Sequence, residues 1–345
     1  MTTATIEKPV ARRNLTIAKA MAEALAQEMR RDENVFVMGE DIGVMGSVYD
    51  TTLGLIEEFG QDRVRDTPIS ETGFVSAAVG AAALGMRPVV ELMFVDFIGV
   101  CLNAVYNLAA KQAYFSGGTT KCPMVLMASV GGGYSDGGQH SQTLYALFAH
   151  LPGLKVVIPS NAYDAKGLML SAIRDDNPVI FLFHKAIQGL GWLAPLSGAV
   201  RDVPEEDYCV PIGKAKIVRE GKDVTIVGFG LGVHHAEDAA ERLSERGVFC
   251  EIVDLRTLAP IDTETLAASL RKTGRLVVVD DDYSRCGVAA EIITLANELA
   301  WDGLRAAPAR VAHPDVPIPF ARDLERALLP NADKIEAAVV KMMEL

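Results

Sequence analysis

The chain has 345 residues, of which 50% are hydrophobic and 23% are charged. A chain of this length and composition buries a large core and is expected to divide into two domains. Its net charge of -12 makes nucleic acid and anionic membranes unexpected partners, because an acidic surface repels phosphate groups.

The cysteines and the N-terminus exclude further classes of protein. The five cysteines are scattered and form no CxxC pair, so neither a disulfide framework nor a zinc site is expected. The N-terminal MTTATIEKPVARR has no apolar signal region, and no apolar run approaches the roughly 20 residues of a membrane span. We therefore expect a cytoplasmic protein without a membrane anchor.

The first half of the sequence alternates segments typical of helices and strands. LTIAKAMAEALAQEM has helical periodicity, VFVMG has strand character, and TTLGLIEEFG predicts another helix. Four further runs of strand length follow: RPVVELMF, CPMVLMAS, LKVVIPS and NPVIFLF. Continuous apolar runs separated by helix-length segments predict buried parallel strands, so we assign residues 1–185 to an α/β domain.

A second α/β domain is predicted for residues 210–345. The segment 186–209 is rich in Gly, Pro and acidic residues, which indicates an interdomain linker. Beyond it, DVTIVGFG, VFCEIVDLRT and RLVVVDDD predict strands, with helices between them.

Two short motifs suggest other enzyme classes. GFGLGV at Gly228, with Asp254 after the next strand, is close to a dinucleotide-binding fingerprint, but Val233 replaces its third glycine. GYSDG at Gly133 has the letters of a serine-hydrolase elbow, but its surroundings are too glycine-rich for a sharply defined turn. A glycine turn and a loop that allows close backbone approach explain these motifs better.

Glu71 and His140 are the two candidate catalytic residues. Glu71 begins a nearly all-apolar helix, so it is either a helix-terminal carboxylate with Ser70 or Thr67 as cap, or a buried group suited to proton exchange with a ring nitrogen. His140 follows a glycine-rich loop near predicted strand ends, and a structural role and a catalytic role are both open.

Seven longer motifs, taken together, resemble one family. They are GEDIG, FGQDRVRDTPISETGF, RPVVELMFVDFIG, GGQHSQTLYALFAHLPGLKVVIPSNAYDAKGL, GKDVTIVG, EIVDLRTLAPID and KTGRLVVVDDDYSRC. In this order they resemble the beta subunit of the thiamin diphosphate-dependent decarboxylating component of 2-oxoacid dehydrogenase complexes, in the transketolase-like superfamily. The acetoin dehydrogenase branch is the most similar, with pyruvate and branched-chain 2-oxoacid dehydrogenases as alternatives.

The resemblance implies a fold and an activity. It implies an N-terminal thiamin-pyrimidine-binding domain with a parallel sheet and a C-terminal transketolase-like α/β domain. The complex would cleave acetoin, or decarboxylate a 2-oxoacid, through a thiamin-bound carbanion and pass the acyl group to lipoamide of an acyltransferase component. A catalytically degenerate structural subunit is the alternative from another class, because Asn103, Ala104 and Ala113 depart from the family pattern.

The resemblance also implies roles for individual residues. Glu71 would hydrogen-bond the aminopyrimidine ring nitrogen of the cofactor. Phe97 would pack on that ring, while Ile69 and Met93 would line the same wall. His140 would assist proton transfer or transfer of the acyl group to lipoamide.

Metal ions and partners follow from the same resemblance. The chain has no GDG segment, so an alpha subunit would hold magnesium and the diphosphate in a two-alpha, two-beta heterotetramer. The C-terminal domain would make beta-beta contacts and dock the lipoyl acyltransferase core. The DDNP turn resembles a structural potassium site, although an ordinary turn is an equal alternative. The potassium ligands would be Met124, Ala172, Ile173, Asp175 and Asn177.

Overall fold

A computed structural model describes residues 13–189 and 196–344. Its strands are β1 (Asn14–Leu15), β2 (Val35–Gly39), β3 (Val64–Asp66), β4 (Arg87–Phe94), β5 (Val125–Val130), β6 (Lys155–Val157), β7 (Val179–His184), β8 (Arg201–Asp202), β9 (Lys216–Arg219), β10 (Val224–Gly228), β11 (Cys250–Asp254), β12 (Thr257–Ala259), β13 (Leu276–Tyr283) and β14 (Ala309–His313). The part of the predicted linker that contains Trp192 and Pro195 lies outside the described residues.

The helices lie between the strands of both halves. They are α1 (Ile17–Arg31), α2 (Leu55–Phe59), α3 (Glu71–Ala83), α4 (Ile98–Asn103), α5 (Gln112–Phe115), α6 (Tyr145–Ala149), α7 (Ala162–Arg174), α8 (Leu231–Glu245), α9 (Thr263–Thr273), α10 (Val288–Ala300), α11 (Arg322–Leu328) and α12 (Ala332–Met343). Within the described ranges, no helix is both long and apolar enough to span a bilayer.

The first large sheet has seven strands in the order β12-β6-β7-β5-β4-β2-β3. All neighbouring strands pair in parallel except β12, which pairs antiparallel with β6. Strands β2, β5 and β7 are buried along their whole length, which explains their continuous apolar sequences. The predicted parallel α/β architecture of this half is confirmed.

The second large sheet has five strands in the order β14-β13-β10-β11-β9. Strands β10, β11, β13 and β14 run in parallel, and β9 is an antiparallel edge strand. Helices α8 and α12 pack on one face through a buried cluster that includes Ala236, Leu243 and Ile335. The predicted second α/β unit is therefore also present.

Strand β12 connects the two halves. It lies in the sequence assigned to the second domain, but Thr257 pairs with Val157 of β6 in the first sheet. The core between the halves is also continuous, since Phe148 of α6 belongs to the same buried cluster as Leu258 and Ile292. The domain limits at residues 185 and 210 stay predictions.

Candidate active site

The loops that follow the parallel strands of the first sheet meet at one edge. In a parallel sheet the carboxyl ends of the strands share an edge, and ligands bind there in open α/β folds. Glu40 follows β2, Glu71 follows β3, Phe97 follows β4, His140 follows β5, and Lys185 follows β7. The sheet thus gathers residues that are far apart in sequence into one candidate site.

Glu71 is the first residue of α3, and its side chain is only 8% exposed. Ser70 does not cap the helix, because its hydroxyl donates to the Pro68 carbonyl at 3.2 Å. The Thr67 hydroxyl is buried without a hydrogen-bond partner among the described residues. The expectation that Ser70 or Thr67 caps α3 through its side chain is therefore wrong, and no described group donates to the Glu71 carboxylate.

A second carboxylate, Glu40, lies near Glu71. Burial raises the pKa of Glu40, and the negative charge of Glu71 raises that pKa further. Its Oε1 atom is buried and has no hydrogen-bond partner among the described residues. Burial also raises the pKa of the Cys101 thiol to about 11, with a smaller contribution from Glu71. The site therefore holds carboxylate acceptors without donors, which suits a ligand that brings its own N–H groups.

Three aromatic rings form a cluster, the aromatic wall, at the same edge of the sheet. The His140 ring lies 4.8 Å from the Phe94 ring and 5.5 Å from the Phe97 ring, both edge to face. The two phenylalanine rings are themselves 5.5 Å apart. Edge-to-face packing fixes the plane of the imidazole while leaving its nitrogen atoms available for hydrogen bonding.

Lys185 secures the loop that carries His140. Its ammonium is nearly buried and donates to the Asp136 carboxylate at 2.8 Å and to the His140 carbonyl. The ammonium also lies 5.2 Å from the centre of the Phe94 ring. The cation thus joins the loop to the aromatic wall.

The other predicted cofactor residues are less closely grouped. Met93 is half-buried at the end of β4, and its carbonyl accepts a hydrogen bond from the Ser129 hydroxyl at 2.6 Å. Ile69 lies in the loop before α3 and is 85% exposed. Helices α3 and α4 are joined by a 2.7 Å hydrogen bond from the Thr72 hydroxyl to the Val100 carbonyl, which brings the Glu71 end close to the helix that follows Phe97. The roles of all these residues stay predictions.

Two of the predicted potassium ligands, Asp175 and Asn177, lie in the turn between α7 and β7, and Ile173 lies in the last turn of α7. The Asp175 carboxylate accepts hydrogen bonds from Asn177 N and Nδ2, both at 2.9 Å, and pairs with the Lys155 ammonium. The carbonyls of Ile173 and Asp175 accept from the Arg87 guanidinium at 2.9 Å. These oxygen atoms are of the kind that a hard cation prefers, but Lys155 and Arg87 already bind some of them.

The remaining two predicted ligands contribute carbonyl groups to local hydrogen bonds. The Met124 carbonyl accepts from Val179 N at 2.9 Å, and the Ala172 carbonyl accepts from Asp175 N at 3.3 Å. A carbonyl oxygen has a second lone pair, so neither bond excludes a further ligand.

The dinucleotide-binding alternative does not fit the structure. Asp254 is fully buried at the end of β11, where it accepts hydrogen bonds from the Ser160 hydroxyl at 2.5 Å and from Arg256 N at 3.0 Å. Burial raises its pKa to about 7. A carboxylate committed to this contact between the halves of the chain is not available to a ribose.

The positions that depart from the family pattern lie beside an exposed apolar surface. Asn103 ends α4 and accepts a hydrogen bond from Asn107 at 2.8 Å, while Ala104 begins a π-helical segment that ends at Ala109. Several large apolar side chains near these elements are exposed, namely Leu84, Val100, Tyr106, Leu108, Tyr114 and Phe115. An exposed apolar area of this kind marks a contact surface.

Sequence reasoning missed Glu40, Phe94, Lys185 and Glu325. Lys185 had a usable signal, because a lysine directly after a buried and almost wholly apolar strand lies at the ligand-binding edge of the sheet. Phe94 had a similar signal, because it ends β4 and begins the FVDF segment in which Phe97 was selected. Glu325 had none, since its contact with the glycine-rich loop spans more than half of the chain.

Comparisons with known proteins agree with this arrangement. Residues 13–188 match the model of the transketolase pyrimidine binding domain, and residues 213–335 match that of the transketolase C-terminal domain. A solved structure described as a split gene transketolase, inactive beta4 tetramer, has a TM-score of 0.75 at 24% identity and covers 96% of this chain and 99% of its own. These matches define a transketolase-like fold.

Curated relatives are similar along nearly their whole length. The chain is 47% identical to the acetoin:2,6-dichlorophenolindophenol oxidoreductase subunit beta of Cupriavidus necator, over 96% of this chain and 98% of the relative. It is 45% identical to a pyruvate dehydrogenase E1 component subunit beta of Rickettsia felis, over 95% and 98%. It is 42% identical to the 2-oxoisovalerate dehydrogenase subunit beta of Bacillus subtilis, over 93% and 96%.

The chain belongs to the family of acetoin and 2-oxoacid dehydrogenase beta subunits. Members of this family are subunits of thiamin diphosphate enzymes, and the resemblance described from the motifs is confirmed.

Proposed function

We propose that this chain is the beta subunit of a thiamin diphosphate-dependent acetoin dehydrogenase, active only together with an alpha subunit. The observation that carries the proposal is the buried Glu71 carboxylate, to which no described group donates a hydrogen bond and which lies near the unpartnered oxygen of Glu40. A pyruvate or branched-chain 2-oxoacid dehydrogenase is the alternative within the family, supported by relatives of 45% and 42% identity.

The residues at the sheet edge fit the aminopyrimidine half of the cofactor. Glu71 would form the hydrogen bond to the ring nitrogen, because its side chain is buried at the start of α3 on this edge of the sheet. Phe97 offers an apolar ring face, and Met93 and Ile69 flank the same edge. When bound, thiamin diphosphate supplies a nucleophilic carbon, which no side chain of this chain provides.

His140 moves a proton near the reacting carbonyl or assists transfer of the acyl group to lipoamide. Its ring is held by Phe94 and Phe97, and its backbone is held by Lys185. A fixed imidazole is an effective proton donor and acceptor near neutral pH. Acyl transfer would be to the lipoamide of an acyltransferase core.

The alpha subunit would supply magnesium and hold the diphosphate. The exposed small-residue face of α3, with Gly73, Ala77 and Gly80, supports a close-packed partner at this edge. A two-alpha, two-beta heterotetramer with beta-beta contacts, docking of the acyltransferase core, and potassium at the Asp175 turn complete the proposal. Asn103, Ala104 and Ala113 keep a catalytically degenerate structural subunit as the competing hypothesis.

The first test changes Glu71 to Gln in the chain co-assembled with its alpha partner. We expect turnover of acetoin, pyruvate and branched-chain 2-oxoacids to fall at least about 100-fold, because an amide cannot exchange the proton. The matched control is Glu57→Gln, since Glu57 is an exposed carboxylate in the first turn of α2. Near-normal turnover by Glu71→Gln contradicts the role, and no turnover by the unchanged assembly with any substrate supports the degenerate subunit.

A second test separates the steps assigned to His140. We expect His140→Ala to lower acyl transfer to lipoamide about tenfold more than reduction of an artificial electron acceptor, because only the former needs the imidazole as an acid. His150→Ala is the control, since His150 is exposed at the end of α6. Equal losses in both assays place His140 in the earlier step.

A further inference from the structure

The loop formed by residues 131–139 has an alternating backbone that gathers its N–H groups. Residues Gly131, Gly133, Ser135 and Gly137 all have positive φ, and the residues between them do not. Alternation of this kind turns backbone N–H groups toward one side and creates a concavity that binds an anion. The anion in this structure is a side chain from the other half of the protein.

Glu325, in α11, fills the concavity. Its side chain is fully buried, with Oε1 accepting from Gly133 N at 2.7 Å and Oε2 accepting from Ser135 N at 2.9 Å. A Cβ on Gly132 would stand 3.1 Å from Oε1, so a glycine at this position lets the carboxylate approach. Both oxygens therefore hold the backbone of one short loop.

The other end of the loop is held from the first sheet. Lys185 binds the Asp136 carboxylate and the His140 carbonyl, as described above. At the start of the loop, a Cβ on Gly131 would stand 2.0 Å from Nε2 of His184, so the backbone of Gly131 lies directly against that ring. The loop is clamped between the end of β7 and α11, and His140 comes immediately after it.

We propose that Glu325 is a positioning residue that holds this loop, and through it the His140 ring, from the C-terminal half of the chain. The inference rests on the proposed function, because it gives His140 a role in acyl transfer. Buried hydrogen bonds to a charged carboxylate are strong, and their loss leaves two N–H groups without partners. The proton-transferring ring would then lose its fixed orientation against Phe94 and Phe97.

The test compares Glu325→Gln with Asp323→Asn, a control at an exposed carboxylate of the same helix. Hydrogen exchange is measured on the full chain, with and without its alpha partner, in peptides from the 131–139 loop and from α3. An amide side chain accepts from only one of the two N–H groups, so we expect exchange in the loop to accelerate about tenfold or more and exchange in α3 to stay unchanged. Unchanged loop exchange, or equal acceleration throughout the chain, overturns the proposal.

Turnover provides the second arm of the test. We expect Glu325→Gln in the assembled enzyme to lower kcat for lipoamide acylation about tenfold with little change in KM, and Glu325→Asp to restore part of the loss because it keeps the charge. Wild-type kcat in Glu325→Gln overturns the positioning role. Failure of the proposed function looks different: the unchanged assembly then has no turnover, while the exchange result still reports on the loop.

Discussion

Glu91 is a buried acid that joins the strand before Phe97 to the segment 47–51. It lies within β4, and its carboxylate accepts hydrogen bonds from the hydroxyls of Ser47 and Thr51. Burial raises its pKa to about 7, although the two hydrogen bonds act in the opposite direction. Because Glu91 has an ordinary pKa in the unfolded chain, its ionisation is coupled to unfolding.

This coupling predicts a pH-dependent difference between the unchanged chain and Glu91→Gln. The stabilisation from a neutral Glu91 is complete below its unfolded pKa of about 4.5 and is lost as pH rises through about 7. We expect the free energy of unfolding of the unchanged chain to fall by about 3 kcal/mol relative to the variant between pH 4.5 and pH 8. Urea unfolding of both chains at several pH values measures this difference, and parallel pH profiles contradict it.

At the residue scale, a site residue could be predicted when the residues that define its environment are adjacent in sequence. It could not be predicted when its contacts come from distant parts of the chain. Glu71 could be selected because the apolar helix that it begins is adjacent in sequence. Lys185 could have been found from its position after β7, but its partners Asp136 and His140 depend on how strands β5 and β7 pair. Glu325 could not be found, because only the packing of α11 against the loop brings it there.

At the scale of elements, periodicity predicted most long strands and helices of the first half, because each has a regular buried face. Helix α1, for example, has a side-chain cap at Thr16 and buried apolar residues at helical spacing. The three-residue strand β3 was missed, since only Val64 of its residues is buried and so no apolar run marks it. Its hydrogen bonds to β2 define it as a strand, and they depend on the tertiary structure.

Dependence on tertiary structure also explains why the predicted side-chain cap of α3 is absent. The sequence before Glu71 contains Ser70 and Thr67, and serine and threonine are both preferred at the N-cap of a helix. The backbone of Ser70 instead has φ of -161° and ψ of 60°, and its hydroxyl binds the Pro68 carbonyl. The course of the loop from β3, rather than residue preference, decides this contact.

At the scale of the whole molecule, the candidate site is open on one side. The exposed face of α3 and the exposed Ile69 and Val100 lie around the edge that carries Glu71, since Ile69 precedes α3 and the Val100 carbonyl accepts from Thr72. Exposed apolar surface is typical of a contact surface, which supports the proposal that a partner chain completes the site. This arrangement is the reason to expect half of an active site rather than a whole one.

The isolated chain is therefore expected to bind thiamin diphosphate and magnesium weakly or not at all. The chain has no GDG segment to coordinate magnesium beside the diphosphate, and its net charge of -12 disfavours a free polyanion. Isothermal titration should show at least about 100-fold weaker binding by the chain alone than by its assembly with the alpha subunit. Equal affinities would support a self-contained enzyme.

Strand β12 affects how the protein can be synthesised and divided. The edge of β6 stays open until residues 257–259 pair with it, and an unpaired strand edge is prone to associate with other chains. During synthesis, the first sheet cannot be completed until about three quarters of the polypeptide has been made. A fragment cut at the linker would keep every parallel strand of the first sheet and still expose the edge of β6, so we expect the isolated first half to aggregate.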